Sequence, residues 1–128
     1  MVELIGNISS YARARSNDFV IVPQNGDGLL SNRNLLQSID GFAREDLLYS
    51  EKERGERNSA QSIAESVGRL KAVAVAGKPV LVVEYMSNYD RASQFHAEIK
   101  ELGFVGYVTR RGLKSLSPPL FGCGAPDC

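Results

Sequence analysis

The 128-residue chain lacks several things that would place it quickly. It has no surplus of either charge, since 15 Lys and Arg balance 15 Asp and Glu. A nucleic-acid binder normally shows a basic excess or a basic stripe, so that class loses its main signal. The densest charge run, residues 51–57, mixes both signs and reads as a solvated loop. No apolar run is long enough to span a bilayer. The opening MVELIGN has no basic stretch leading into an apolar one, so no signal peptide is read there. Cysteine is scarce: Cys123 and Cys128 both fall in the last six residues. They would form a small-loop disulfide in an oxidising compartment or stay as two thiols on a tail, and nothing in the sequence chooses between these. Two cysteines without a third or a nearby histidine do not make a four-ligand zinc site. The single histidine, His96, sits beside Phe95 among polar positions and reads as a surface residue. Gly26-Asp27-Gly28 lacks the third glycine of a dinucleotide fingerprint, there is no P-loop, and no serine lies in a nucleophile elbow. No metal or organic cofactor is implied.

What is present is an alternation. A hydrophobic fraction of 43% supports one buried core, and the length fits one small domain. Ile5, Ile8 and Ala12 share a helical face and predict a helix over about 2–15. Residues 19–23 (FVIVP) are a short continuous apolar run rich in β-branched residues, the pattern of a strand buried on both faces of a parallel sheet. A polar loop over 24–28 and a short helix over 29–37 follow, then a weaker strand over 38–43. Ile63, Val67, Leu70 and Ala74 place a helix over about 58–76, with Gly77 as its stop. Residues 79–85 (PVLVVEY) form the clearest strand. Ala92, Phe95, Ile99 and Leu102 mark a helix over 90–102 closed by Gly103, and 104–109 (FVGYVT) predict the last strand. The tail, 117–128, reads as irregular. Strands alternating with amphipathic helices predict an α/β fold with a parallel sheet.

Polar residues collect where each predicted strand ends: Gln24 and Asn25; Arg44, Glu45 and Asp46; Glu84 and Tyr85; Thr109, Arg110 and Arg111. Ligands of parallel α/β folds sit at the carboxyl ends of strands, because the βα loops converge there. Acidic residues at that edge suggest carboxylate chemistry of the glycosidase kind, in which one carboxyl group acts as general acid and another as nucleophile or base. Plainer roles stay open. Glu45-Asp46 before a helix would serve as an N-terminal cap. Glu84 would serve as a structural partner of Arg110 or Arg111, and Gln24-Asn25 would simply shape a turn.

Four segments, FVIVPQNG (19–26), IDGFAREDLLY (39–49), KPVLVVEY (78–85) and GFVGYVTR (103–110), occur in an order and spacing that resemble the glycoside hydrolases related to endo-α-1,4-polygalactosaminidase, the family 114-like group. ISSYAR (8–13) resembles the helix before the first of them. The resemblance covers about residues 2–116. It implies the C-terminal half of a (β/α)₈ TIM barrel, strands five to eight, followed by the tail over 117–128. It implies cleavage of α-linked amino-sugar polysaccharide, with Glu45 in the acid/base role and Gln24, Asn25, Glu84 and Tyr85 lining the sugar cleft. Asp40 or Asp46 would orient the loop around Glu45, Tyr49 and Tyr85 would offer stacking faces, and Arg110 would join the substrate contacts. In a complete barrel the Glu45 pKa is expected to be raised by burial or by a neighbouring carboxylate. Relatives of this kind are often exported.

The departure from that family is large. Its aspartate after the fourth strand, in a segment like G-x-D-G-x-x-L-D, has no counterpart here, and strands one to four have none either. A full barrel takes roughly 250 residues. The expectation is therefore an incomplete enzyme, completed by an N-terminal half or by a second copy, or else a fragment, which Met1 at the start of a barrel helix favours. The rival is a non-catalytic α/β domain that binds a polysaccharide, an oligosaccharide or a partner without turnover.

Overall fold

The computed structural model describes residues 1–49, 56–112 and 114. The expected tail and both cysteines lie outside the described residues, as does most of the charged run after Tyr49. Four helices and three strands alternate: α1 (Val2–Arg13), a 3₁₀ turn (Asp27–Ser31), α2 (Arg33–Ser38), β1 (Phe42–Glu45), α3 (Ala60–Val75), β2 (Val80–Tyr85), α4 (Tyr89–Glu101) and β3 (Val105–Thr109). The strands form one parallel sheet in the order β1-β2-β3. The fold is α/β, with helices between parallel strands. No described helix is long and apolar enough to cross a membrane.

Local chemistry sets the boundaries. Asn32, Ser59 and Asn88 cap α2, α3 and α4, each side chain accepting a hydrogen bond from an amide of the first turn. Gly77 and Gly103 follow α3 and α4 at φ +75°, the left-handed turn that releases the chain into β2 and β3.

The first expected strand, residues 19–23, is not one. The segment runs extended beside β1 and meets it in a single parallel bridge, Gln24 to Ala43. Two features explain this. Pro23 has no amide to donate, and the Ile21 amide goes to the Asp40 side chain at 2.8 Å rather than to a strand carbonyl. Its inner carbonyls are still used, Ile21 by the Asp40 amide and Pro23 by the Ala43 amide, each at 2.8 Å. The expected helix over 29–37 divides at Asn32 into the 3₁₀ turn and α2.

The two faces of the sheet differ. Phe42, Val80, Val82 and Val108 point toward Leu70 and Val73 of α3 and Ala92, Phe95 and Ile99 of α4, and all are buried. Gly106 belongs to that face; a Cβ there would stand 2.8 Å from Phe95 Cε1, so the glycine lets α4 lie close to β3. The opposite face carries Ala43, Glu45, Leu81, Val83, Tyr85, Val105 and Tyr107 by register. No described helix covers it. Val105 is 48% exposed there, and Val20 and Val22, on the extended segment along the other edge beside β1, are 64% and 38% exposed.

Candidate functional site

The carboxyl ends of β1 and β2 bring four of the expected residues together. Glu45 is the last residue of β1 and lies on the uncovered face. Its Oε2 accepts the Tyr85 hydroxyl at 2.6 Å, and its Oε1 accepts Asn25 Nδ2 at 2.9 Å. Asn25 Oδ1 in turn accepts the Glu45 amide at 3.1 Å, so the two residues are joined twice. Asn25 holds this position at φ +61°, a left-handed conformation that asparagine tolerates better than most side chains. Gln24 lies close enough to act on the same carboxylate in the same sense.

These donors decide the protonation state. The Tyr85 hydroxyl first, then Asn25, hold the Glu45 carboxyl below the usual glutamate range, against the opposing effect of partial burial. In this chain the shift runs opposite to the one expected for a complete barrel. Glu45 is a carboxylate whose two oxygens are each fixed by a donor. The Tyr85 hydroxyl responds in the opposite sense. Its hydrogen bond to Glu45 pushes it up to about 12.

Asp46 follows at φ +52°, a strained position for a residue with a Cβ. Its Oδ1 accepts Arg111 Nη2 at 2.8 Å, and the Arg111 guanidinium lies 4.1 Å from the centre of the Tyr85 ring. Arg111 therefore spans Asp46 and Tyr85 and supports the fixed Glu45 electrostatically. Of the two arginines at this edge the sequence reading took Arg110, which is exposed. The one that closes the cluster is Arg111.

Three other expectations are corrected. Glu84 is 0% exposed and lies on the helix-covered face of β2, so it does not line the cleft, and neither arginine is its hydrogen-bond partner. Strand alternation carries the signal that separates it from Tyr85, because neighbours on a strand point to opposite faces. Tyr49 is 9% exposed and packed in the core with Arg57 5.8 Å over its ring, which leaves no face for a sugar. Asp40 stands at the other end of β1, paired with Arg13 at 2.7 Å and with the Ile21 amide; it fixes the extended segment and not the Glu45 loop. His96, read as a surface residue, has both ring nitrogens buried against β3 without hydrogen-bond partners.

The chain superposes on the glycoside hydrolase domain of PelA from Pseudomonas aeruginosa with a TM-score of 0.70, over 90% of this chain and 47% of that one, at 16% identity. It shares the fold of about half a glycoside hydrolase domain. No protein-family model matches the sequence. Among curated proteins it is 35% identical over 121 residues to an uncharacterized protein of Methanocaldococcus jannaschii, which covers 86% of this chain and 34% of that protein. It is 29% identical over 123 residues to an uncharacterized protein of Thermotoga maritima, covering 89% of this chain and 37% of the relative. The chain thus spans about a third of the length of the curated relatives it matches.

Proposed function

We propose that this chain is the C-terminal half of a (β/α)₈ glycoside hydrolase of the endo-α-1,4-polygalactosaminidase-like kind, acting on an amino-sugar polysaccharide, with residues 1–116 forming the half-barrel. The observation that carries the proposal is the Glu45 carboxylate, ionised and held by Tyr85 and Asn25 at the carboxyl end of a parallel sheet, on the face that no described helix covers. That face would be the inner wall of the barrel. In a glycosidase such a carboxylate attacks the anomeric carbon or activates water, while a second, protonated carboxyl group protonates the leaving oxygen. Gln24, Asn25 and Tyr85 fix Glu45, and Asp46 and Arg111 close the rim. The acid would come from the complementary half, where the family places its aspartate.

The bare face supports the same reading. Separate from it, an open apolar groove of about 540 Å³ beside α1 is lined by Ile8, Tyr11, Ala12 and Phe19. A covering half would bury these groups together with Val20, Val22 and Val105. A second reading, a sugar- or partner-binding domain without turnover, is favoured by one observation: the other carboxylate at the rim, Asp46, is engaged by Arg111.

Light scattering on the purified chain, with hydrolysis of a galactosamine-rich polymer assayed on the same sample, separates the two readings. A dimer that hydrolyses means that two copies rebuild a barrel. Hydrolysis that appears only when an N-terminal half is added means complementation. Binding without hydrolysis in either state favours the second reading. In the active form, Glu45→Gln is expected to lower turnover by at least about 100-fold while leaving the circular dichroism unchanged; full activity in that variant removes Glu45 from the chemistry.

A further inference from the structure

Glu84 stands out because nothing proposed so far uses it. A fully buried glutamate is costly to fold, and an apolar residue of similar volume would cost less. Its neighbourhood shows what the carboxyl group supplies. Oε1 accepts the Leu48 amide at 2.7 Å, while Oε2 is buried without a hydrogen-bond partner. Leu47, Leu48 and Tyr49 belong to the turn that leaves β1 immediately after Glu45 and Asp46, and all three are buried.

That turn needs holding. Asp46 sits at φ +52°, in the left-handed region that most residues with a side chain avoid and that Asn and Asp enter most readily. Its amide donates to Val83 O of β2 at 3.1 Å. From the side of α3, Asn58 Nδ2 donates to the carbonyls of Asp46 and Leu47, each at 3.0 Å, and the Asn58 amide donates to Leu48 O at 2.8 Å. Asn58 thus takes the carbonyls of the turn, and Glu84 takes an amide. The next residue on β2, Tyr85, reaches through the opposite face to the Glu45 carboxylate. One strand therefore fixes both the reacting oxygens and the backbone that presents them.

We infer that Glu84 is a positioning residue, whose buried carboxyl group holds the turn after β1 in the one conformation that delivers Glu45 to Tyr85 and Asn25 and Asp46 to Arg111. The inference deepens the reading of Glu45 as the reacting carboxylate, but its test uses no substrate, so absence of hydrolysis leaves it untouched. The variants are Glu84→Met, which fills the same volume and removes the acceptor, and Glu84→Gln, which keeps a carbonyl acceptor. The readout is the titration of the Glu45 side-chain carboxyl carbon by NMR in the 128-residue chain.

In Glu84→Met the midpoint of Glu45 is expected to rise by about half a pH unit or more toward that of an ordinary glutamate, as the Tyr85 and Asn25 donors lose register. In Glu84→Gln it is expected to stay in place. An unchanged midpoint in a folded Glu84→Met protein overturns the inference. So does an equal change in both variants, which would show that the carbonyl acceptor kept in Glu84→Gln is not what holds the turn. If Glu84→Met does not fold, hydrogen exchange of the Leu48 amide in the unaltered chain decides. Protection equal to that of the β2 amides supports the clamp, and exchange at the rate of an open loop sinks it.

Discussion

Glu45 and Glu84 are the same residue type within one small site, and their surroundings drive them apart. Donors from Tyr85 and Asn25 hold the first ionised, while burial pushes the second up to about 7. A sequence contains both residues but not the donors, which come from positions 20 and 40 residues away. That is why Glu45 was readable as a candidate and its charge state was not. Gly106 shows the same limit from the packing side. Its place in a predicted strand was plain, yet the reason for a glycine there is the Phe95 ring 2.8 Å from where a Cβ would stand, with Phe95 Cζ and His96 Nδ1 at 3.1 and 3.2 Å. Because Phe95 is fully buried, it has little room to yield. Gly106→Ala is therefore expected to cost about 1–3 kcal/mol, read as a lower midpoint in urea denaturation. An unchanged midpoint would mean that α4 can move away from β3 without penalty.

At the scale of elements, α3, α4, β2 and β3 were legible because their local signals agree. Each helix has its apolar stripe, a capping Ser or Asn and a closing glycine, and each strand follows that glycine within a few residues. The first half was less legible because its backbone is satisfied by side chains. Asp40 takes the Ile21 amide that a strand would have shared, and Lys78 reaches from the start of β2 to the carbonyls of Leu36 and Ile39 at the end of α2. A six-residue helix has too few internal bonds to persist alone. Lys78 is thus the tie that docks α2 against the sheet. Lys78→Met keeps the aliphatic stem and removes the donor, leaving two carbonyls short of a partner. The expected loss is about 1–3 kcal/mol, seen as a lower melting temperature. Faster amide exchange confined to residues 33–38 would place the loss on α2, whereas uniform weakening of the sheet would contradict this role.

For the whole molecule, the opposed shifts of its carboxyl groups set how stability depends on pH. Asp40 and Glu45 have folded pKa values below their unfolded ones, so they add stability that is fully present above the unfolded values and is lost as pH falls through the folded ones. Glu84 has the reverse sign. Its folded value of about 7 exceeds the ordinary 4.5, so the folded state holds a proton that the unfolded state releases between those two pH values. Stability should therefore rise with pH up to about 4.5, then decline between about 4.5 and 7, with Glu84 accounting for a loss on the order of 3 kcal/mol at full shift. Denaturation midpoints measured from about pH 3 to about pH 8 would show a maximum on the acid side of neutrality. Glu84→Gln, which has no proton to lose, should flatten the decline without altering the acid limb. A maximum at neutral pH in the unaltered chain would mean that Glu84 ionises without penalty, through solvent reaching its second oxygen. The same curve bears on the uncovered face: a complementary half binds only the folded state, so its addition should raise the whole curve by an amount that grows with its concentration. A curve that rises without changing shape would place the contact away from Glu84. A flattened decline would show that closing the face alters the turn that Glu84 holds.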